Sequence, residues 1–240
     1  MSGYFYAIGG ANYDKKESLT IDLDIIKESG KTNPNLLFVP VALNDDKNKI
    51  NSFLTYYKEL GANVDILYSV NVDLDKEIIV DKFSKSDIIY LSGGMTSRLV
   101  SFCQTYDLKE AFIKVFDEGK IIVGVSAGAI SFFEYGFGDK EAYTYNLESV
   151  NHKMTNGLGL FKGIFCPHYQ NSGLLSFHDE VKKFDVDAFA LENGAALKIN
   201  KSGFIVVKNK GCNAFSFIYE EQHKLNYLKE QQLFKVDLFK

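Results

Sequence analysis

Gly124-Val125-Ser126-Ala127-Gly128 has the residue types and the spacing of a serine placed for nucleophilic attack. In a G-x-S-x-G turn the serine sits between a strand and a helix with its hydroxyl pushed into open space. The turn strains the serine backbone, and small residues two before and two after it let strand and helix approach. The β-branched run Ile121-Ile122-Val123 leads in, and Ala127, Gly128 and Ala129 leave the start of the next helix almost bare before apolar Ile130, Phe132 and Phe133. A helix start at that point aims free N–H groups and the positive end of its dipole at any negative charge forming nearby. The chemistry such a serine serves is acyl transfer. The plainer reading is a tight strand-to-helix connection with an idle hydroxyl.

A serine needs a base within hydrogen-bond reach, and histidine is the usual base at neutral pH. Four histidines compete. His223 lies in the charged stretch Glu220 to Lys224 and reads as solvated, His178 sits beside Asp179 and Glu180, and His152 occupies a polar segment with no adjoining strand. Only His168 follows an apolar strand directly, with Pro167 limiting the backbone at its exit. The base needs a carboxylate to hold its tautomer. Glu192 ends the run Asp187-Ala188-Phe189-Ala190-Leu191, ahead of an Asn-Gly turn, whereas Glu134, Asp139 and Glu141 fall in or near a Gly-bearing connection. Donors for the oxyanion would be the N–H of Ala127, next to the serine, and a backbone amide of Gly93-Gly94 after Ile88-Ile89-Tyr90-Leu91. That glycine pair is equally a helix entry capped by Ser92 or Thr96.

These residues must be carried by strand ends. Short apolar runs alternate with helical periodicity in the first half of the chain, the pattern of βαβ units around a parallel sheet. Strands are expected at 4–8, 36–39, 64–67, 87–91 and 121–123, with helices near 18–29, 46–60, 73–84 and 97–117, the last broken around Tyr106-Asp107. After the elbow helix come strands at 163–166, 187–191, 195–199, 204–208 and 213–218, interrupted by one helix near 173–184. The turns Glu192-Asn193-Gly194 and Asn200-Lys201-Ser202-Gly203 predict antiparallel hairpins at the C-terminal end. The fold class is thus α/β, a mostly parallel central sheet flanked by helices. Open sheets of this kind bind ligands beyond the carboxyl ends of their strands, where Ser126, His168 and Glu192 all fall.

The 240 residues fit one domain, 1–240, since no linker, repeat or low-complexity run divides them. A net charge of −4 gives no electrostatic footprint for nucleic acid or an anionic membrane surface. The N-terminal residues lack the basic flank and apolar stretch of a signal peptide, so a cytoplasmic location is expected. Cys103, Cys166 and Cys212 are too scattered for a disulfide framework or zinc site, and neither metal nor cofactor is expected. Arg98 is the only arginine, leaving one candidate for bidentate recognition of a carboxylate.

Five segments together resemble the peptidase E family of serine peptidases, which includes aspartyl dipeptidases and, more distantly, cyanophycinases. They are Ala7-Ile8-Gly9-Gly10, Leu91-Ser92-Gly93-Gly94-Met95-Thr96, Gly124 to Ala129, Cys166-Pro167-His168-Tyr169 and Leu191-Glu192-Asn193-Gly194-Ala195-Ala196-Leu197. Their order Ser, His, Glu differs from that of α/β-hydrolases, which run Ser, acid, His. The resemblance implies a fold like that of the class I glutamine amidotransferases and a serine-type peptidase acting on short peptides. Residue by residue it implies Ser126 as nucleophile, His168 as general base and acid, Glu192 as its orienter, Gly94 and Ala127 as oxyanion donors, and Gly93, Met95 and Thr96 beside the substrate. Two departures bear on specificity: aspartyl dipeptidases usually carry Asn where this chain has Met95, and an arginine on the helix after the catalytic histidine, where 173–184 has none. A substrate carboxylate would then turn to a lysine, His178 or Arg98. An N-terminal aspartate preference is accordingly not expected. Alternatives are an idle small-molecule or partner-binding member of the fold, or an esterase or amidase with the same triad. The sequence leaves room for a homodimer.

Overall fold

The computed structural model describes residues 3–139, 152–170, 176–235 and 238–239. Strands β1 (Tyr4–Ile8), β2 (Asn35–Val39), β3 (Asn63–Ile66), β4 (Ile88–Leu91) and β5 (Ile121–Val125) alternate with helices α1 (Leu19–Glu28), α2 (Lys47–Glu59), α3 (Lys76–Lys85), α4 (Thr96–Thr105) and α5 (Lys109–Asp117). The interruption expected around Tyr106-Asp107 is the break between α4 and α5. The elbow leads into α6 (Ala127–Phe132), then β6 (Phe133–Asp139), β7 (His152–Asn156), β8 (Phe161–Cys166), α7 (Phe177–Val181), β9 (Ala188–Leu191), β10 (Ala195–Asn200), β11 (Gly203–Lys208), β12 (Ala214–Ile218) and β13 (Lys224–Tyr227).

Two sheets form from these strands. The first has the order β11-β10-β1-β5-β4-β2-β3, with β1, β5, β4, β2 and β3 mutually parallel and the β10–β11 hairpin added antiparallel beside β1. Period-two alternation makes this sheet two-faced. Tyr6, Ile8, Leu36, Phe38, Ile88 and Tyr90 pack with α1 and α2. Their neighbours Phe5, Ala7, Leu37, Val39, Ile89 and Leu91 enter a larger cluster with α3 to α6.

The second sheet, β13-β12-β9-β8-β6-β7, is an addition to the expected architecture. Its inner face contributes Phe133, Phe165, Phe189 and Leu191 to that larger cluster, so the two sheets share a core. Its outer face packs Ile164, Cys166, Phe215 and Phe217 against Phe177 and Val181 of α7. Strands β6, β7 and β13 were not expected. Gly136 and Gly138 dilute the apolar alternation of Phe133, Tyr135 and Phe137, yet Gly136 is what lets β6 lie on α6. A Cβ there would come within 2.2 Å of Ile130. The helix expected near 173–184 is α7, and residues 171–175 before it lie outside the described residues.

Candidate active site

The site lies where the two sheets meet at the carboxyl ends of β1, β4, β5, β8 and β9. Backbone bonds tie the junction and the β8–β9 edge beside it. The N–H of His168, after β8, donates to the Gly9 carbonyl after β1 at 2.9 Å, Gly194 N–H donates to Gly10 at 2.9 Å, and Tyr169 N–H donates to Leu191 at 3.1 Å.

Ser126 follows β5 with φ 52° and ψ −109°, a positive-φ conformation unusual for a side-chain-bearing residue. Its N–H is spent on the Ile8 carbonyl at 3.0 Å, while its own carbonyl accepts from Ile130 in the first turn of α6. The glycine spacing has its steric reason here: a Cβ on Gly124 would stand 2.4 Å from the Gly128 backbone, and one on Gly128 the same distance from the Leu91 carbonyl oxygen. Strand and helix can therefore close on one another only with bare backbone at both positions.

His168, also at positive φ, holds Nε2 2.8 Å from Ser126 Oγ. On the other side of the ring, Nδ1 lies 2.7 Å from Asn193 Oδ1. Here the structure corrects the expectation for Glu192. Its carboxylate turns the other way and accepts from the Asn213 backbone N–H at 2.8 Å and from Asn213 Nδ2 at 3.2 and 3.3 Å. The reason is local. Glu192 continues the β9–β12 ladder, donating its own N–H to Asn213, so its side chain follows that edge. Asn193, held by its N–H to Gln170 Oε1, turns toward the imidazole, and its Nδ2 donates to Glu17 Oε2 at 3.2 Å. Gly10 lets the ring and the amide meet, because a Cβ there would fall 2.1 Å from Asn193 Oδ1 and 2.6 Å from the His168 ring.

The rival groups Glu134, His178 and His223 are engaged elsewhere. Glu134 accepts from the Gly163 N–H, and His178 pairs with the Tyr169 hydroxyl. His223, expected to be solvated, is buried with Nε2 on the Val186 carbonyl. Glu141 and the side chains of Asp139 and His152 lie outside the described residues. Arg98 reaches the Ala42 carbonyl at 3.5 Å.

A cleft of about 210 Å³ opens beside Ser126 and His168, with Tyr13, Asp14, Lys49 and Gly93 in its wall. Gly93 runs close beside Ser126, since a Cβ on it would be 3.4 Å from Ser126 Cβ. Gly94 also lines the cleft, at φ 131°, pressed so near Ala42 that a Cβ would stand 2.3 Å from its carbonyl oxygen. Ala127 opens α6, where a helix leaves its first N–H groups without intrahelical acceptors. Met95 and Thr96, expected beside the substrate, instead start α4 outside the cleft wall: Met95 is the residue before its first turn and Thr96 is buried. Ser92 lines the cleft with a buried hydroxyl that has no hydrogen-bond partner among the described residues.

Asp14 and Lys49 were missed by the sequence reading. They bring one carboxylate and one ammonium to the cleft, from the loop after β1 and the first turn of α2. Tyr13 anchors the loop: its ring packs against Phe53, Tyr56, Tyr57 and Tyr90, and Asp14 Oδ1 accepts from Ser52 Oγ at 3.1 Å. Behind the Tyr13 ring, the fully buried Asp22 accepts from Ser18 Oγ at 2.7 Å, Tyr56 at 2.8 Å and Tyr57 at 2.6 Å. Burial pushes its carboxyl up to about 6 despite those three donors.

No helix among the described residues is long and apolar enough to cross a membrane. A curated relative, the "Uncharacterized peptidase YgaJ" of Bacillus subtilis (strain 168), is 28% identical over 224 residues, covering 90% of this chain and 92% of its own. The fold is similar to that of a peptidase from an acI-B1 Actinobacterium, with a TM-score of 0.73 at 17% identity over 98% of each chain. The model of peptidase family S51 matches residues 5–207, from the first residues of β1 to the end of β11. A match of that extent takes in every strand end that carries the site, and the chain belongs to peptidase family S51, the serine peptidases of the peptidase E type.

Proposed function

We propose that this peptidase hydrolyses short peptides through an acyl-enzyme on Ser126, with His168 as general base and acid and Asn193 as the group that orients the imidazole. The observation that carries the reading is the 2.8 Å approach of His168 Nε2 to the hydroxyl of a serine held at positive φ on a strand-to-helix elbow. Ser126 Oγ attacks the scissile carbonyl carbon while its proton passes to Nε2. The oxyanion that forms is met by the N–H groups of Ala127 and Gly94, beside the positive end of α6. When the C–N bond breaks, His168 returns the proton to the departing amine. Water, deprotonated by the same nitrogen, then releases the acid and restores the serine.

The size and charge of the cleft favour small substrates. Its roughly 210 Å³ falls below the ~300–1,000 Å³ common for ligand pockets, which suits one or two residues rather than a folded chain. Asp14 is suited to a free amino group and Lys49 to a carboxylate, an arrangement that favours peptides with unblocked ends. Labelling with a fluorophosphonate tests the nucleophile directly: wild type is expected to label and Ser126→Ala not to, and equal labelling of the two would remove Ser126 from this role. Dipeptides and tripeptides varied at the first residue, run with N-acetylated controls, test the substrate. Equal turnover of acetylated and free peptides would count against Asp14 as an amine site.

A further inference from the structure

We infer that Glu17 is a positioning residue for the Ser126–His168 pair, acting through Asn193 by fixing which end of the asparagine amide faces the imidazole. The inference rests on the proposed roles of Ser126 and His168.

An asparagine side chain has an accepting end and a donating end of nearly the same shape, so contact alone does not decide which one meets a histidine. Glu17 supplies the decision. Its carboxylate only accepts, so the amide end toward it must be Nδ2, which lies 3.2 Å from Glu17 Oε2. Oδ1 is thereby turned to His168 Nδ1 at 2.7 Å, and an oxygen there requires Nδ1 to carry the proton. In neutral imidazole the lone pair then sits on Nε2, 2.8 Å from Ser126 Oγ, where the hydroxyl proton must go. Reversing the amide reverses each step. Nδ2–H would donate to Nδ1, Nε2 would carry the proton, and the ring would donate to the serine instead of accepting from it. Such a tautomer cannot begin the reaction.

Glu17 is itself held for this task. Its N–H donates to the Asn12 carbonyl at 3.1 Å, and its carbonyl accepts from Asn209 Nδ2 at 2.9 Å. Its backbone lies so close to the turn after Asn193 that a Cβ on Gly194 would come 2.5 Å from the Glu17 carbonyl oxygen. These anchors use backbone atoms of Glu17, so they survive changes to its side chain. Once His168 is protonated, the carboxylate beyond Asn193 also favours the imidazolium, a role an uncharged amide cannot fill by itself.

The imidazole nitrogen shifts of His168 in protein labelled with ¹⁵N-histidine, above the pH at which the ring is neutral, read the tautomer without depending on turnover. Wild type is expected to show the Nδ1–H form, and Glu17→Ala to gain the Nε2–H form. The same substitution should lower kcat and the fluorophosphonate labelling rate about tenfold, the scale of one charge-assisted hydrogen bond, with KM little changed. Glu17→Gln keeps the length of the side chain and should fall between the two. In an Asn193→Asp background there is no amide to orient, and Glu17→Ala should cost nothing or relieve the repulsion between two carboxylates. Unchanged tautomer and rate in both Glu17 variants would overturn the inference, as would an equal loss in both backgrounds. Absence of labelling in wild type would count instead against Ser126 as nucleophile, while the nitrogen shifts would still decide the role of Glu17.

Discussion

Replacing Asn193 and Glu192 separately by alanine should divide catalysis from stability. Asn193→Ala removes the acceptor 2.7 Å from His168 Nδ1 and leaves that N–H facing a space the size of the lost amide. An unsatisfied donor of this kind costs about 1–3 kcal/mol, which corresponds to roughly 5- to 150-fold if the cost falls on the transition state. Loss of the correct tautomer adds to this, and where a buried orienter fixes the tautomer alone the effect reaches about 10⁴ in kcat. The expected result is a kcat lower by at least tenfold with little change in KM. Glu192→Ala breaks a different set of bonds, those to the N–H and Nδ2 of Asn213 at the β9–β12 edge. The orphaned Asn213 N–H should cost about 1–3 kcal/mol of folding free energy, or roughly 2–12 °C in Tm for a chain of this length. Its kcat, measured well below the lowered Tm, should stay within about threefold of wild type. The assays are steady-state hydrolysis of a dipeptide, the fluorophosphonate labelling rate, and thermal melts of all three proteins. The reasoning is refuted if Glu192→Ala loses more kcat than Asn193→Ala while its melt is unchanged, because Glu192 would then be the residue acting on His168.

Three further outcomes follow from the site and the buried groups near it. Gly10→Ala places a Cβ 2.1 Å from Asn193 Oδ1 and 2.6 Å from the His168 ring, so labelling of Ser126 should fall by at least tenfold while the protein stays folded; a wild-type labelling rate would show that the ring and amide can retreat without loss. Asp22 is pushed up to about 6, so the folded state holds its proton more tightly than the unfolded chain. Stability from this group is therefore greatest below about pH 4 and declines as pH rises to about 6, by on the order of 3 kcal/mol. In Asp22→Asn that decline should disappear, and denaturant melts at pH 4 and pH 7 that change in parallel for both proteins would contradict it. Ser92→Ala removes a buried hydroxyl with no partner among the described residues, so Tm should hold or rise; a fall of more than a few degrees would reveal a partner for that oxygen.

Much of the first sheet could be read from the chain because its strands are buried on both faces, and such strands announce themselves as unbroken apolar runs between helical segments. Ile121 to Val123 and Ile88 to Leu91 are of this kind, and the residues after them, Ser126 and Gly93, stand at the cleft. Strands β6, β7 and β13 escaped because their apolar content is broken by glycines, lysines and asparagines, whose reason for being there lies in another element, as Gly136 answers to Ile130. The same distinction governs the site. His168 was legible since it follows a buried strand directly, and its backbone is fixed by the Gly9 carbonyl.

The residue on the far side of its ring was not legible by type, because a carboxylate is the usual partner and Glu192 stood at the right strand end. What decides between Glu192 and Asn193 is side-chain direction on leaving β9. Successive residues of an extended chain point to opposite sides, so if one faces the β12 edge the next faces away from it. The register with β12 commits Glu192 to Asn213, and Asn193 inherits the histidine. Register is a long-range property, set by Ala214 pairing with Leu191 rather than by any residue between 187 and 194. An uncharged orienter then leaves the tautomer open unless another group selects it, and Glu17, separated from Asn193 by 176 positions in the chain, meets it only in the fold. Ser126 and His168, the proposed nucleophile and base, are therefore written locally, in a turn and a strand end, while the polarity proposed for the pair is set by contacts that no local pattern contains.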